Sequence, residues 1–141
     1  MRACLIAASL LVAAAVPVAA AAGKLAPPGK VREMLGDVGV MANKDDDRCT
    51  VALFEDKVEQ GYKLTFFEDG GKCAAAFPVM AKVVAWRVYT DGRMAFADGA
   101  GKDLIIFEPG KGFKRYAANK VDGIVFLHSS QEGAEFDFWS F

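Results

Sequence analysis

Histidine, the side chain best suited to acid–base work near neutral pH, occurs once in these 141 residues, as His128. A hydrolytic triad needs an imidazole held beside a nucleophile by the fold. Ser129 and Ser130 follow His128 directly and are too close in sequence to be placed as its nucleophile, so His128 reads as a polar residue at the rim, closing the last strand. Eighteen acidic residues always bring some carboxylates to bond-cleaving distance, and no spacing singles out one pair. Asp45-Asp46-Asp47 lacks the alternating oxygen ligands and the glycine of a calcium loop and reads as a solvated turn. Gly99-Ala100-Gly101 and Pro109-Gly110-Lys111-Gly112 lack the strand, glycine loop and helix order that cradles phosphate, and read as hairpin turns. The expectation is a protein that is not an enzyme, with no resident metal and no cofactor.

Cysteine chemistry is the exception. Cys4 falls in the N-terminal leader, which leaves Cys49 and Cys73. An even pair in a small exported domain is usually bridged. A closed loop of about 25 residues is worth roughly 3 kcal/mol in the chain-entropy picture. A zinc site is the poorer reading, because the spacing is far from C-x-x-C and His128 supplies at most one further ligand.

Those residues must be carried by a chain whose opening is a targeting segment. Arg2, an apolar run over 3–16, and the small residues 19–23 read as a cleavable secretory signal over 1–22, cut after Ala20, Ala21 or Ala22. Pro17 interrupts the run and argues against an anchor. Without Arg2 the mature chain holds 16 basic against 18 acidic residues, no excess to attract phosphate, so nucleic acid is not an expected partner. Residues 23–34 form an N-terminal arm. Its Gly23-Lys24-Leu25-Ala26-Pro27-Pro28-Gly29-Lys30 is too rich in Pro and Gly for a helix or a central strand, and is expected to be extended and stiff. A short helical turn over 31–35 is expected where the arm meets the body. The aromatic tail over 131–141 is expected to pack over a barrel mouth or to meet a partner.

Between arm and tail, residues 35–130 show short apolar runs at roughly ten-residue spacing, with turn residues between them and no helix-period segment. Eight strands are expected, over 38–42, 49–54, 61–67, 84–89, 93–97, 104–107, 112–116 and 124–128. The turns include Glu68-Asp69-Gly70-Gly71, Asp91-Gly92 and Asp122-Gly123. Alternation puts Cys49, Val51 and Leu53 on one face, then Tyr62, Leu64 and Phe66, then Val84, Trp86 and Val88, with Phe107, Ile124 and Phe126 also inside. Regular up-and-down spacing favours an all-β, eight-stranded antiparallel barrel, lipocalin-like, over a Greek-key sandwich. Strands of five to seven residues are too short to span a membrane as a barrel, so a protein that does not span the membrane is expected.

The ordered set Cys49-x-Val51-x-Leu53, Gly61-Tyr62-x-Leu64, Cys73, Trp86, Gly92, Asp98-x-x-Gly101 and Asp122-Gly123-x-x-x-Leu127 resembles the Inh family of bacterial metalloprotease inhibitors over about residues 35–130. A domain of the same type forms part of an outer-membrane lipoprotein. The resemblance implies a barrel with Trp86 in its core and the Cys49–Cys73 disulfide. It also implies a periplasmic, monomeric inhibitor of a secreted zinc metalloprotease. Its inhibitory arm would be Ala22, Gly23, Lys24, Leu25, Ala26, Pro27 and Pro28, inserted in the protease cleft while the barrel rim packs on the enzyme. The competing readings are a lipocalin-like small-ligand carrier, which needs a hollow barrel, and a structural envelope protein docking through its tail.

Overall fold

A computed structural model describes residues 23–29, 38–45, 47–66, 70–111 and 114–130. The expected signal, Ala22, the helical turn over 31–35 and the aromatic tail lie outside the described residues. The strands are β1 (Val38–Ala42), β2 (Arg48–Val58), β3 (Gly61–Phe66), β4 (Val83–Val88), β5 (Met94–Asp98), β6 (Asp103–Pro109), β7 (Lys114–Ala117) and β8 (Phe126–Ser129). Each pairs antiparallel with the next, and β8 pairs back onto β1, so the sheet closes into an eight-stranded barrel. Most consecutive strands are joined by short turns, β3 and β4 by a longer connection, and closure removes the long open edges of the sheet.

Side chains alternate across a strand, so the register carries one interior face around the wall. Met41 lies opposite Cys49 and Leu127, Leu53 opposite Leu64, Trp86 opposite Tyr62 and Phe96, and Phe107 opposite Met94 and Ala117. All of these but Tyr62, which packs against them partly buried, belong with Val51, Ile105 and Ile124 to one apolar core cluster that fills the barrel. An eight-stranded barrel is just narrow enough for such filling. Trp86 is fully buried, and its indole N–H points at the carbonyls of Phe54 (3.0 Å) and Lys63 (3.1 Å), so its polar edge is satisfied while its ring packs.

Four expectations are corrected. The segment after β3, read as a turn at Glu68-Asp69-Gly70-Gly71 and a loop containing Pro78, is helical: α1 (Gly70–Ala76) takes in Gly70 and Gly71 and is followed by a 3₁₀ turn over Pro78–Lys82. Lys72-Cys73-Ala74-Ala75-Ala76 has the residue types that favour helix, and Pro78 ends it. Cys73, Phe77 and Met80 from this connection join the core. Second, Val84 does not share a face with Trp86. The register slips between Val83 and Ala85, so Val83 is buried and Val84 is 45 % exposed. Third, Phe126 is not interior. The last strand starts at Phe126 after a bend, which puts Leu127 and Ser129 inside and leaves Phe126 and His128 as a ring pair, 5.5 Å apart, on the other face. Fourth, β2 runs for 11 residues rather than six, with a register shift between Leu53 and Lys57 that bends its far end.

Arg115 is the one charged side chain among the described residues that is fully enclosed. It faces inward from β7 at 3 % exposure and donates from Nη1 to the Gly92 carbonyl, while its Nε has no partner. Burial pushes its guanidinium down from the ordinary value.

Candidate functional site

Where β3 leaves β4, the arm takes over the vacated edge. Along β4 the wall is paired by Lys63 opposite Ala85 and Tyr62 opposite Trp86. The chain of β3 starts at Gly61, whose φ of +146° belongs to glycine and where a Cβ would lie 2.5 Å from the Trp86 carbonyl oxygen. Just beyond, the amide of Ala26 donates to Val88 O (2.8 Å) and the amide of Thr90 donates to Lys24 O (2.9 Å). Leu25 is thereby bridged to Tyr89 in antiparallel register. Lys24, Leu25 and Ala26 are thus held at the rim by one isolated antiparallel bridge.

Tyr89 anchors this segment. Gly23 lies against its ring so closely that a Cβ there would sit 2.9 Å from Cδ1, and the Arg93 guanidinium lies 5.2 Å from the ring centre. The Tyr89 hydroxyl donates to Asp103, whose other oxygen pairs with Arg87 Nη1 at 3.2 Å. Burial first, and then the hydrogen bond to the Asp103 carboxylate, raise the Tyr89 phenol above its ordinary 10.0. Arg87 also donates from Nε to the Gln60 carbonyl, and Gln60 Nε2 reaches Gly99 O at 3.0 Å, which ties the β2–β3 hairpin to the same wall. In the β4–β5 turn the Asp91 carboxylate accepts from the Arg93 amide (3.0 Å) and from Arg93 Nε (2.7 Å). Those two bonds hold its carboxyl below the usual range.

A cleft of about 370 Å³ separates the arm from the β2–β3 hairpin, with Leu25 and Pro27 on one bank and Lys57, Val58 and Glu59 on the other. It continues past Pro28 and Gly29 into a shallower trough beside Tyr62. A second groove of about 600 Å³ lies between the β1–β2 loop and the β7–β8 connection, beside Tyr116, Lys44 and Lys120. Its wall contains Lys120 and Asp122 in left-handed backbone, and Asp122 accepts from the Val79 amide at 2.5 Å.

Of the residues singled out in the sequence, Gly23, Lys24, Leu25, Ala26, Pro27 and Pro28 are brought together at this rim. Lys24, Leu25 and Pro27 are exposed, and Ala26 is packed against the core. Cys49 and Cys73 are buried and bonded to each other, joining β2 to α1. His128 lies on β8, outside this cluster, with Nδ1 2.8 Å from Ser129 O. Tyr89, Asp103, Arg87 and Val58 escaped sequence reading. Tyr89 carries only the signal of a residue preceding a Thr-Asp-Gly turn, and Asp103 and Arg87 have no local signature at all. No described helix is long and apolar enough to cross a membrane. Comparison with protein-family models and with curated proteins gave no match to this chain.

Proposed function

We propose that this protein is an exported inhibitor of zinc metalloproteases that presents its N-terminal arm from the barrel rim. The observation that carries the reading is the seating of Lys24, Leu25 and Ala26, held extended by two main-chain hydrogen bonds at the edge of a filled barrel. An inhibitor profits from an arm ordered before it meets its target, because that ordering entropy is then not lost on binding. Pro27 and Pro28 stiffen the shank further. The filled interior speaks against a ligand carried inside the barrel. The disulfide suits an oxidising compartment such as the periplasm.

In this reading the barrel stays on the enzyme surface and the leading end of the arm, Ala22 or Gly23, is delivered into the protease cleft. A catalytic zinc keeps one position open for water, and a neutral α-amine arriving on a fixed arm can take it. An amine must lose its proton to ligate a metal, so inhibition should weaken as pH falls below about 7.7.

Titrating the purified processed protein against zinc, serine and cysteine proteases, beside a variant lacking residues 22–28, tests this. The expected result is inhibition of a zinc protease that the shortened variant loses by about a hundredfold or more, since the arm would carry the central contacts. Equal inhibition by both forms rejects the arm, and inhibition of no protease rejects the function.

A further inference from the structure

We propose that the cleft between the arm and the β2–β3 hairpin receives an extended segment of the inhibited protease, paired to the backbone of Leu25 and seated between Leu25 and Val58, an inference that rests on the inhibitory reading above. Antiparallel pairing alternates the direction of backbone groups from residue to residue. Lys24 O and Ala26 N are spent on Thr90 and Val88, so the N–H and C=O of Leu25 face the other way, and neither has a partner among the described residues. Leu25 lines the cleft together with Lys57, Val58 and Glu59 of the hairpin. A free donor and acceptor on an extended, immobilised residue form a template for an incoming strand.

The side chains agree with the backbone. Among the described residues four large apolar side chains are exposed, and two of them, Leu25 at 54 % and Val58 at 38 %, stand on opposite banks of this one cleft. Single exposed apolar residues need no explanation, but two flanking an unpaired backbone edge mark a contact surface. Gly61, Tyr62 and Val88 also line it, so an apolar side chain arriving there finds apolar neighbours. The charged residues of the cleft are Lys57 and Glu59, one of each sign, and Arg87, whose charge is paired with Asp103, so recognition rests on main chain and apolar contact rather than on charge. Together with the trough beside Pro28 and Gly29, the cleft follows the arm from Leu25 to the point where it leaves the extended conformation. A protease suits this edge because such enzymes hold substrates extended beside unpaired backbone of their own. The cleft is continuous with the arm that the inhibitory reading already places against the enzyme.

Residue-resolved amide exchange on the full processed protein, alone and bound to the protease it inhibits most strongly, tests the proposal. The amides of Ala26 and Thr90 should be protected in both states. Leu25 should exchange freely alone and slow by about tenfold or more in the complex, as expected for a newly formed backbone hydrogen bond. Val58→Asp, at a hairpin position, should raise the inhibition constant by about tenfold or more without lowering the melting temperature. Inhibition with Leu25 still exchanging freely, or with Val58→Asp indifferent, overturns the cleft and leaves the inhibitory arm standing. Protection of Leu25 already in the free protein, whether from its own chain or from a dimer seen by sedimentation, also overturns it. Inhibition of no protease overturns both.

Discussion

Tyr89 does three jobs at once at the scale of single residues: it pairs with Leu25, floors Gly23 and reaches Asp103. Tyr89→Phe keeps the ring and removes the hydroxyl, and should cost about 1 kcal/mol at pH 8 for the lost hydrogen bond, read from urea midpoints. The same variant carries a pH signature. The folded protein holds the phenol proton above the unfolded value of 10.0, so this stabilisation is complete below pH 10 and is lost as pH rises through the raised folded value. The stability of the parent protein should therefore fall more steeply above pH 10 than that of Tyr89→Phe, and parallel curves would deny the shift. Arg115 poses the opposite case, a buried guanidinium with an unpartnered Nε and no acidic neighbour among the described residues. Arg115→Met keeps the stem and removes the buried charge, and should stabilise the fold by about 1–2 kcal/mol in urea titration. A loss instead would show that the bond to the Gly92 carbonyl outweighs desolvation. Neither role was legible in the sequence. Alternation placed Trp86 inside correctly, but a position in a strand does not tell which distant carboxylate a hydroxyl will meet.

Among the elements, the connection from β3 to β4 departs furthest from a plain hairpin. α1 and its 3₁₀ turn place Cys73, Phe77 and Met80 in the core, and the disulfide ties them to β2 across a separation of 24 residues. Replacing both cysteines by alanine should lower unfolding stability by about 3 kcal/mol while the far-ultraviolet spectrum keeps its β character. A much smaller loss would mean that the core alone holds this connection. Seven of the strands lie within two residues of the runs expected from periodicity and turn chemistry. β2 alone is much longer, because a bulge is a response to twist and closure that no local pattern records. The helix was hidden for a related reason: seven residues are too few to show a 3.6-residue period, and glycines at its start imitate a turn.

Taken whole, the described residues form a filled barrel with the arm bridged to its rim at Leu25. Arm and cleft lie on the β2–β3 and β4–β5 side. Removing residues 131–141 should therefore leave the inhibition constant within about threefold of the parent, because the central contacts would come from the arm. A large loss would shift weight to a protein that docks through its tail. The sequence by itself determined that the body is all-β and closes upward and downward in order, that Cys49 meets Cys73, and that Trp86 is core. Each follows from local alternation, turn residues or the presence of a single partner. Only the tertiary structure decided where the arm rests and what faces it. The edge it uses exists because β3 and β4 separate after Trp86, and the cleft exists because the β2–β3 hairpin bends away. Both are consequences of closing a twisted sheet on itself, a condition imposed by all eight strands together and written in no one of them.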